Sequence, residues 1–196
     1  MGYRVLILAS TSPRRISLLG QIGIPFEVVD PGNVENSVAL DPIVRVREHA
    51  LCKAEAVSSR FPDRLVVAAD TIVALKGEIL EKPKNVDEAR EMLRFLCGRT
   101  HTVFSAVALV ERDVGLSDLR VSETKVTLKG LSSEEIDAYL VTRESMDKAG
   151  AYAAQGLGAV LVERVEGCFY NIVGLPMSLL FDMLKEAGFN ILTIQH

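Results

Sequence analysis

Residues Val5 to Leu19 read Val-Leu-Ile-Leu-Ala-Ser-Thr-Ser-Pro-Arg-Arg-Ile-Ser-Leu-Leu, and the rest of the chain is read from this stretch. The apolar run Val5 to Leu8 has strand character and stops at Ala9. A short polar turn follows, in which Ser12 is a good helix N-cap and Pro13 suits the first helical position. A strand that feeds a helix through such a turn aims several backbone N–H groups at one point, and the helix dipole makes that point electropositive. Phosphate binds at such points. Arg14 and Arg15 occupy the first helical turn, where the dipole disfavours cations, so an anion is expected beside them. The competing reading is an ordinary strand-to-helix turn with two solvated arginines. The glycines of a Walker loop or a dinucleotide fingerprint are missing.

Outward from this unit, strands and helices alternate. Gly20 and Gly23 bracket the end of the first helix, and Pro25 to Val29 reads as a short strand running into the turn Asp30 to Asn33. Asp41-Pro42 starts a helix whose buried stripe is Ile43, Val46, Ala50, Leu51, Ala54 and Val57, with Lys53 outside it. Leu65 to Leu75 is the most hydrophobic segment and reads as a central strand buried on both faces. Lys76-Gly77 turns the chain into a returning strand, Glu78 to Leu80, and a helix from Asn85 to Gly98 buries Ala89, Met92, Leu93 and Leu96. Val103 to Val110 and Leu119 to Leu128 form an expected hairpin across Arg112 to Gly115. Ser132 to Glu135 is a capping-box start for a helix. Strands are expected at Ala159 to Val162 and at Phe169 to Val173, and Pro176 opens a final helix ending at Gly188.

The composition fits such a fold. Hydrophobic residues make up 48% and charged residues 24% of 196 residues, ordinary usage for a folded protein. With no repeat, low-complexity segment or flexible linker, residues 1–196 read as one mixed α/β unit, two-lobed around a cleft. A net charge of −4 counts against a general nucleic-acid or membrane-surface binder while permitting a local basic cleft. Cys52, Cys97 and Cys168 are far apart, have no metal-ligand spacing, and read as buried small residues in a reducing compartment. Arg4 interrupts the N-terminal apolar run, no signal-peptide pattern follows, and no stretch approaches the roughly 18 apolar residues of a membrane span. A cytoplasmic protein is expected.

Several residues stand out chemically. Asp70 places a carboxylate inside an apolar segment, which is costly unless it binds a metal, pairs with a cation or lies at an exposed strand end. If Leu65 to Ala69 is the buried part, Asp70-Thr71 lies at the carboxyl end, where ligands gather in open α/β sheets. A structural Asp capping a turn is the alternative. Lys82 is held extended by Pro83 and can meet a phosphate as a point charge. Glu35 and Lys53 are weaker candidates, and Gln155 lies in a small-residue loop where it could bond a base edge or a phosphate. His49 and His101 have no metal-spaced or nucleophile partners and read as structural. The cations Arg14, Arg15, Lys53 and Lys82 with the carboxylates Glu35 and Asp70 are the inventory of phosphoryl chemistry: carboxylates for a divalent ion, cations for a polyphosphate.

Five motifs then resemble one family: Ala9-Ser-Thr-Ser-Pro-Arg-Arg15, Ala69-Asp-Thr71, Gly77-Glu-Ile-Leu-Glu-Lys-Pro83, Asp147-Lys-Ala-Gly-Ala-Tyr152 with Gln155-Gly-Leu-Gly158, and Val173-Gly-Leu-Pro176. In this order they look like the Maf family of nucleoside triphosphate pyrophosphatases, over about residues 5 to 187. The resemblance implies a fold similar to the inosine-triphosphate pyrophosphatases and hydrolysis of a nucleoside triphosphate to the monophosphate and pyrophosphate with Mg2+ or Mn2+. It implies that Ser10, Arg14 and Lys82 contact phosphates, that Asp70 is the catalytic carboxylate, and that Glu35 and Lys53 complete the site, with Asp70 and Glu35 as metal ligands. Arg15 joins the phosphate-facing cations. Asp-Thr and Gln-Gly resemble the dTTP/UTP branch, making Arg14, Thr71 and Gln155 the expected determinants of base choice; a sister branch acts on 7-methyl-GTP. The resemblance also implies a homodimer, and the reading from a different class is a nucleotide-binding regulator of septum formation. One departure is that Gly32-Asn-Val-Glu35 lacks the acidic residue often found just upstream, so Glu35 is a less secure metal ligand than Asp70.

Overall fold

The computed structural model describes residues 5–189 and 191–193. Its strands are β1 (Leu6–Ala9), β2 (Phe26–Val29), β3 (Val66–Leu75), β4 (Glu78–Leu80), β5 (Thr100–Glu111), β6 (Leu116–Leu128) and β7 (Val162–Glu166). Its helices are α1 (Pro13–Gln21), α2 (Pro42–Ser58), α3 (Val86–Leu96), α4 (Ser133–Val141), α5 (Phe169–Val173) and α6 (Met177–Glu186). Among the described residues these strands form one mixed sheet in the order β2-β1-β3-β5-β6-β7, with β4 pairing β3 off that path.

β3 shows why the sequence folds this way. Side chains alternate across a strand, and here both faces are covered. Val66, Ala68, Ile72 and Ala74 pack against α2 through Val46, Ala50, Ala54 and Val57. On the other face Leu65, Val67 and Ala69 join Leu18, Leu19 and Leu180 of α1 and α6 in one cluster, while Val73 and Leu75 join Leu93 and Ile136 of α3 and α4 in another. β5 repeats the division, with Val107 and Leu109 in the first cluster and Val103 in the second. Between them lie Thr71 and Ser105, register partners whose hydroxyls are 2.8 Å apart. One sheet face thus carries two apolar cores parted by a polar break.

The edge of β3 is divided as well. β1 pairs with it in parallel at Ile7↔Val66 and Leu8↔Val67, and β4 pairs antiparallel from Val73 to Leu75. Among the described residues, 68–72 have no strand partner on that edge. This gap is where β1 ends and α1 begins.

Much of the expected organisation is present, including the doubly buried β3 and the β5–β6 hairpin. Asp41 caps α2 by accepting from the N–H groups of Ile43 and Val44, and Ser132 and Glu135 form the capping box of α4. Other expectations need correction. Phe169–Val173 is helical, because Asn171 turns inward and donates from Nδ2 to the Val103 carbonyl at 3.0 Å and Thr124 Oγ1 at 2.9 Å. Residues Gly156–Leu161 form a 3-10 helix, and the strand starts only at Val162. Ser12 makes no side-chain cap; the hydroxyl of Ser10 accepts the Ser12 N–H instead, at 3.2 Å. Asp70 lies in mid-strand, not at the end of β3. No helix among the described residues is long and apolar enough to cross a membrane.

Candidate active site

A cleft of about 600 Å³ opens at the gap in the β3 edge. Asp70 projects onto the α2 side, where His49 and Lys53 are spaced i,i+4 on one helical face. Lys53 Nζ donates to Asp70 Oδ1 at 2.8 Å, and His49 Nδ1 lies 3.2 Å from Asp70 Oδ2. Lys53 also pairs with Glu35 and approaches the Ala69 carbonyl at 3.4 Å. The lysine is only 7% exposed, so its sequence placement outside the buried stripe was misleading: the stem is buried and the ammonium is held by carboxylates.

Electrostatics follow from this packing. Burial would raise the pKa of Asp70, but the His49 hydrogen bond and the charges of Lys53 and Arg15 together hold it well below the usual carboxylate range. Asp70 is therefore an anion at any physiological pH. The same hydrogen bond raises the pKa of His49, against the effect of burial.

The arginines of α1 separate. Arg15 donates from Nε to the Gly174 carbonyl at 2.8 Å and from NH2 to Thr71 Oγ1 at 3.2 Å, tying the end of α5 to β3. Burial lowers its pKa while Asp70 and Glu35 favour its charge. Arg14 reaches across the cleft to Asp147, with NH1 at 2.7 Å from Oδ2. Lys82 and Gln155 lie exposed on the cleft walls. Arg14, Arg15, Glu35, Lys53, Asp70, Thr71, Lys82 and Gln155 thus line one cleft, whereas Ser10 is buried behind it and is absent from the lining.

Sequence reasoning missed His49, and its i,i+4 spacing with Lys53 was the available signal. Glu35, His49 and Asp70 each present a ligand atom, all within 4.8 Å of one another. Two carboxylates suit Mg2+ or Mn2+ and an imidazole extends the range to other transition ions. Asp70 is already ionised, so the donor set fits a divalent cation. Lys53 pairs with both of these carboxylates and would share them with such an ion.

Residues 5–187 match the family described as Maf-like protein. The chain belongs to that Maf-like family. A dTTP/UTP pyrophosphatase of Dictyoglomus thermophilum is 45% identical over 190 residues, covering 95% of this chain and 98% of that protein. A dTTP/UTP pyrophosphatase of Symbiobacterium thermophilum is 48% identical over 189 residues, covering 96% of each. The structure of the Staphylococcus aureus Ham1 protein aligns with a TM-score of 0.54 at 15% identity, over 94% of this chain and 100% of that one, which shows a shared fold. In the Maf-like chain the fold therefore brings an ionised carboxylate, a cation bridge and a candidate divalent site to one open strand edge.

Proposed function

We propose that the protein hydrolyses dTTP and UTP to the nucleoside monophosphate and pyrophosphate. The observation that carries this reading is the Asp70 constellation: a buried, ionised carboxylate with Lys53 on one oxygen and His49 on the other, facing a cleft that also presents Arg14 and Lys82. The dTTP/UTP pyrophosphatase activity named for relatives that match nearly the whole chain supports it.

The chemistry is hydrolysis at the α-phosphorus. A water oxygen bonds to phosphorus, the bond to the α–β bridging oxygen breaks, and pyrophosphate departs with the electron pair. Asp70 accepts the proton of the attacking water, and Lys53 fixes the carboxylate's angle through Oδ1. Arg14 and Lys82 offset charge on the departing pyrophosphate, with Arg14 exchanging Asp147 for the ligand. Asp70, Glu35 and His49 would hold a divalent ion, Mg2+ or Mn2+ in this reading, which would supply charge neutralisation for the triphosphate. Arg14, Thr71 and Gln155 set the base preference. Arg15 shapes the cleft floor through Thr71 and Gly174.

The test is pyrophosphate release from a panel of nucleoside triphosphates, 7-methyl-GTP included, with Mg2+ or Mn2+. UTP and dTTP are expected to lead. Preference for a guanine nucleotide would defeat the pyrimidine assignment, and no turnover at all would defeat the enzymatic one.

A further inference from the structure

We propose that Glu144 is a positioning residue whose carboxylate fixes the loop carrying Gln155, and so sets how strongly the cleft selects a base; this rests on the pyrophosphatase reading above. Between the short 3-10 turns at Ala149–Ala151 and Gly156–Leu161, the segment that carries Gln155 has no helix or strand of its own. Leu157 N–H donates to Glu144 Oε1 and Gly158 N–H to Oε2, both at 3.0 Å. Consecutive backbone N–H groups that converge on one point form an anion-binding concavity. Here the protein fills that concavity with its own carboxylate.

The glycines show that the fit is close. A Cβ on Gly156, whose φ is +67°, would stand 2.6 Å from Glu144 Oε1, and one on Gly158 would stand 2.5 Å from the Ala153 carbonyl oxygen. Gly156 has no room for a side chain while the carboxylate is in place, and Gly158 has none beside the Ala153 carbonyl. Glu144 is aimed in turn by its own surroundings. Arg143 before it has φ +60°, a left-handed turn that brings the chain back from α4. Thr142 Oγ1 accepts the Glu144 N–H at 3.2 Å, and Lys148 Nζ donates to the Glu144 carbonyl at 2.6 Å. The other end of the loop is held from α4 itself, since Ala153 N–H donates to Tyr139 Oη at 3.1 Å. Gln155 stands between these two attachments, exposed to the cleft. Glu144 is half-buried at the cleft lining, and each of its carboxylate oxygens is engaged by a loop N–H, so its effect on the substrate is transmitted through the loop.

The experiment compares the unaltered protein with Glu144→Ala and Glu144→Gln by amide hydrogen exchange without nucleotide, and by the kcat/KM ratio of UTP to GTP. In Glu144→Ala the amides of Leu157 and Gly158 are expected to exchange at least about tenfold faster. The UTP-to-GTP ratio is expected to fall about tenfold, chiefly through KM for UTP, with kcat nearly unchanged. Glu144→Gln has the same shape and keeps one acceptor, so it falls between the two; it also carries the test if Glu144→Ala folds poorly. Unchanged exchange at both amides in the alanine variant would overturn the clamp. Freed amides with an unchanged UTP-to-GTP ratio would overturn the role in base choice. Absence of UTP turnover in the unaltered protein would instead sink the functional reading, and the exchange arm, which contains no nucleotide, keeps the two failures apart.

Discussion

Asp70 has two oxygens, and the protein uses each for a different partner. Asp70→Asn keeps the volume while removing the charge and the proton acceptor, so kcat should fall about a thousandfold or more. Near-normal pyrophosphate release by that variant would rule out the assignment. His49 should titrate above its ordinary value of 6.5 by NMR and drop back in Asp70→Asn. Because its folded pKa is raised, the stabilisation it gives is fully present below pH 6.5 and is lost as pH climbs through the raised value. His101 runs the other way. Burial pushes its pKa down to about 4 from 6.5, so between those values the unfolded chain binds more protons and stability rises with pH. The contribution is at most roughly 3 kcal/mol. Urea midpoints should increase from pH 4.5 to 7, and the increase should shrink in His101→Gln. Of these residues, Asp70 was legible because a carboxylate conflicts with its apolar neighbours. For His49 the sequence offered only the i,i+4 spacing with Lys53, because its partner Asp70 lies on another element and the docking of α2 on β3 joins them.

α2 is the element on which the site depends. Asp41 accepts two of its free N–H groups, at 2.8 Å from Ile43 and 3.0 Å from Val44. Asp41→Ala should cost about 1 kcal/mol, read as a lowered thermal midpoint with an unchanged slope of kcat against pH. This cap, and the capping box of α4, were visible in sequence because both are local. α5 was not: Phe-Tyr-Asn-Ile-Val satisfies a strand pattern as well as a helical one, and the choice is made by Asn171 plugging the sheet between Val103 and Thr124. The 3-10 turn at Gly156–Leu161 was missed for a similar reason, since Glu144, which shapes it, is remote in the chain.

At the scale of the whole molecule, an acidic protein of net charge −4 gathers Arg14, Arg15, Lys53 and Lys82 on the lining of one cleft, beside Glu35 and Asp70. Their attraction for an anionic ligand acts within the cleft, so the KM for UTP should rise with NaCl over the range where the Debye length shrinks from about 10 Å to 3 Å. A KM indifferent to salt would mean that Arg14 and Lys82 do not meet phosphate. The α/β class, the doubly buried β3 and the β5–β6 hairpin were readable from periodicity, whereas the strand order and the gap in the β3 edge were not, because they depend on where β1 stops and β4 starts. The contact beneath α2 has a consequence for redesign. Ala50 and Ala54 have no exposed surface and are small enough to let the helix lie close on the sheet. A bulkier residue at either position, touching no nucleotide, would lift the helix and withdraw Lys53 and His49 from Asp70 together. Libraries meant to alter metal or nucleotide use therefore have as much to gain from varying this hidden layer as from varying the walls of the cleft.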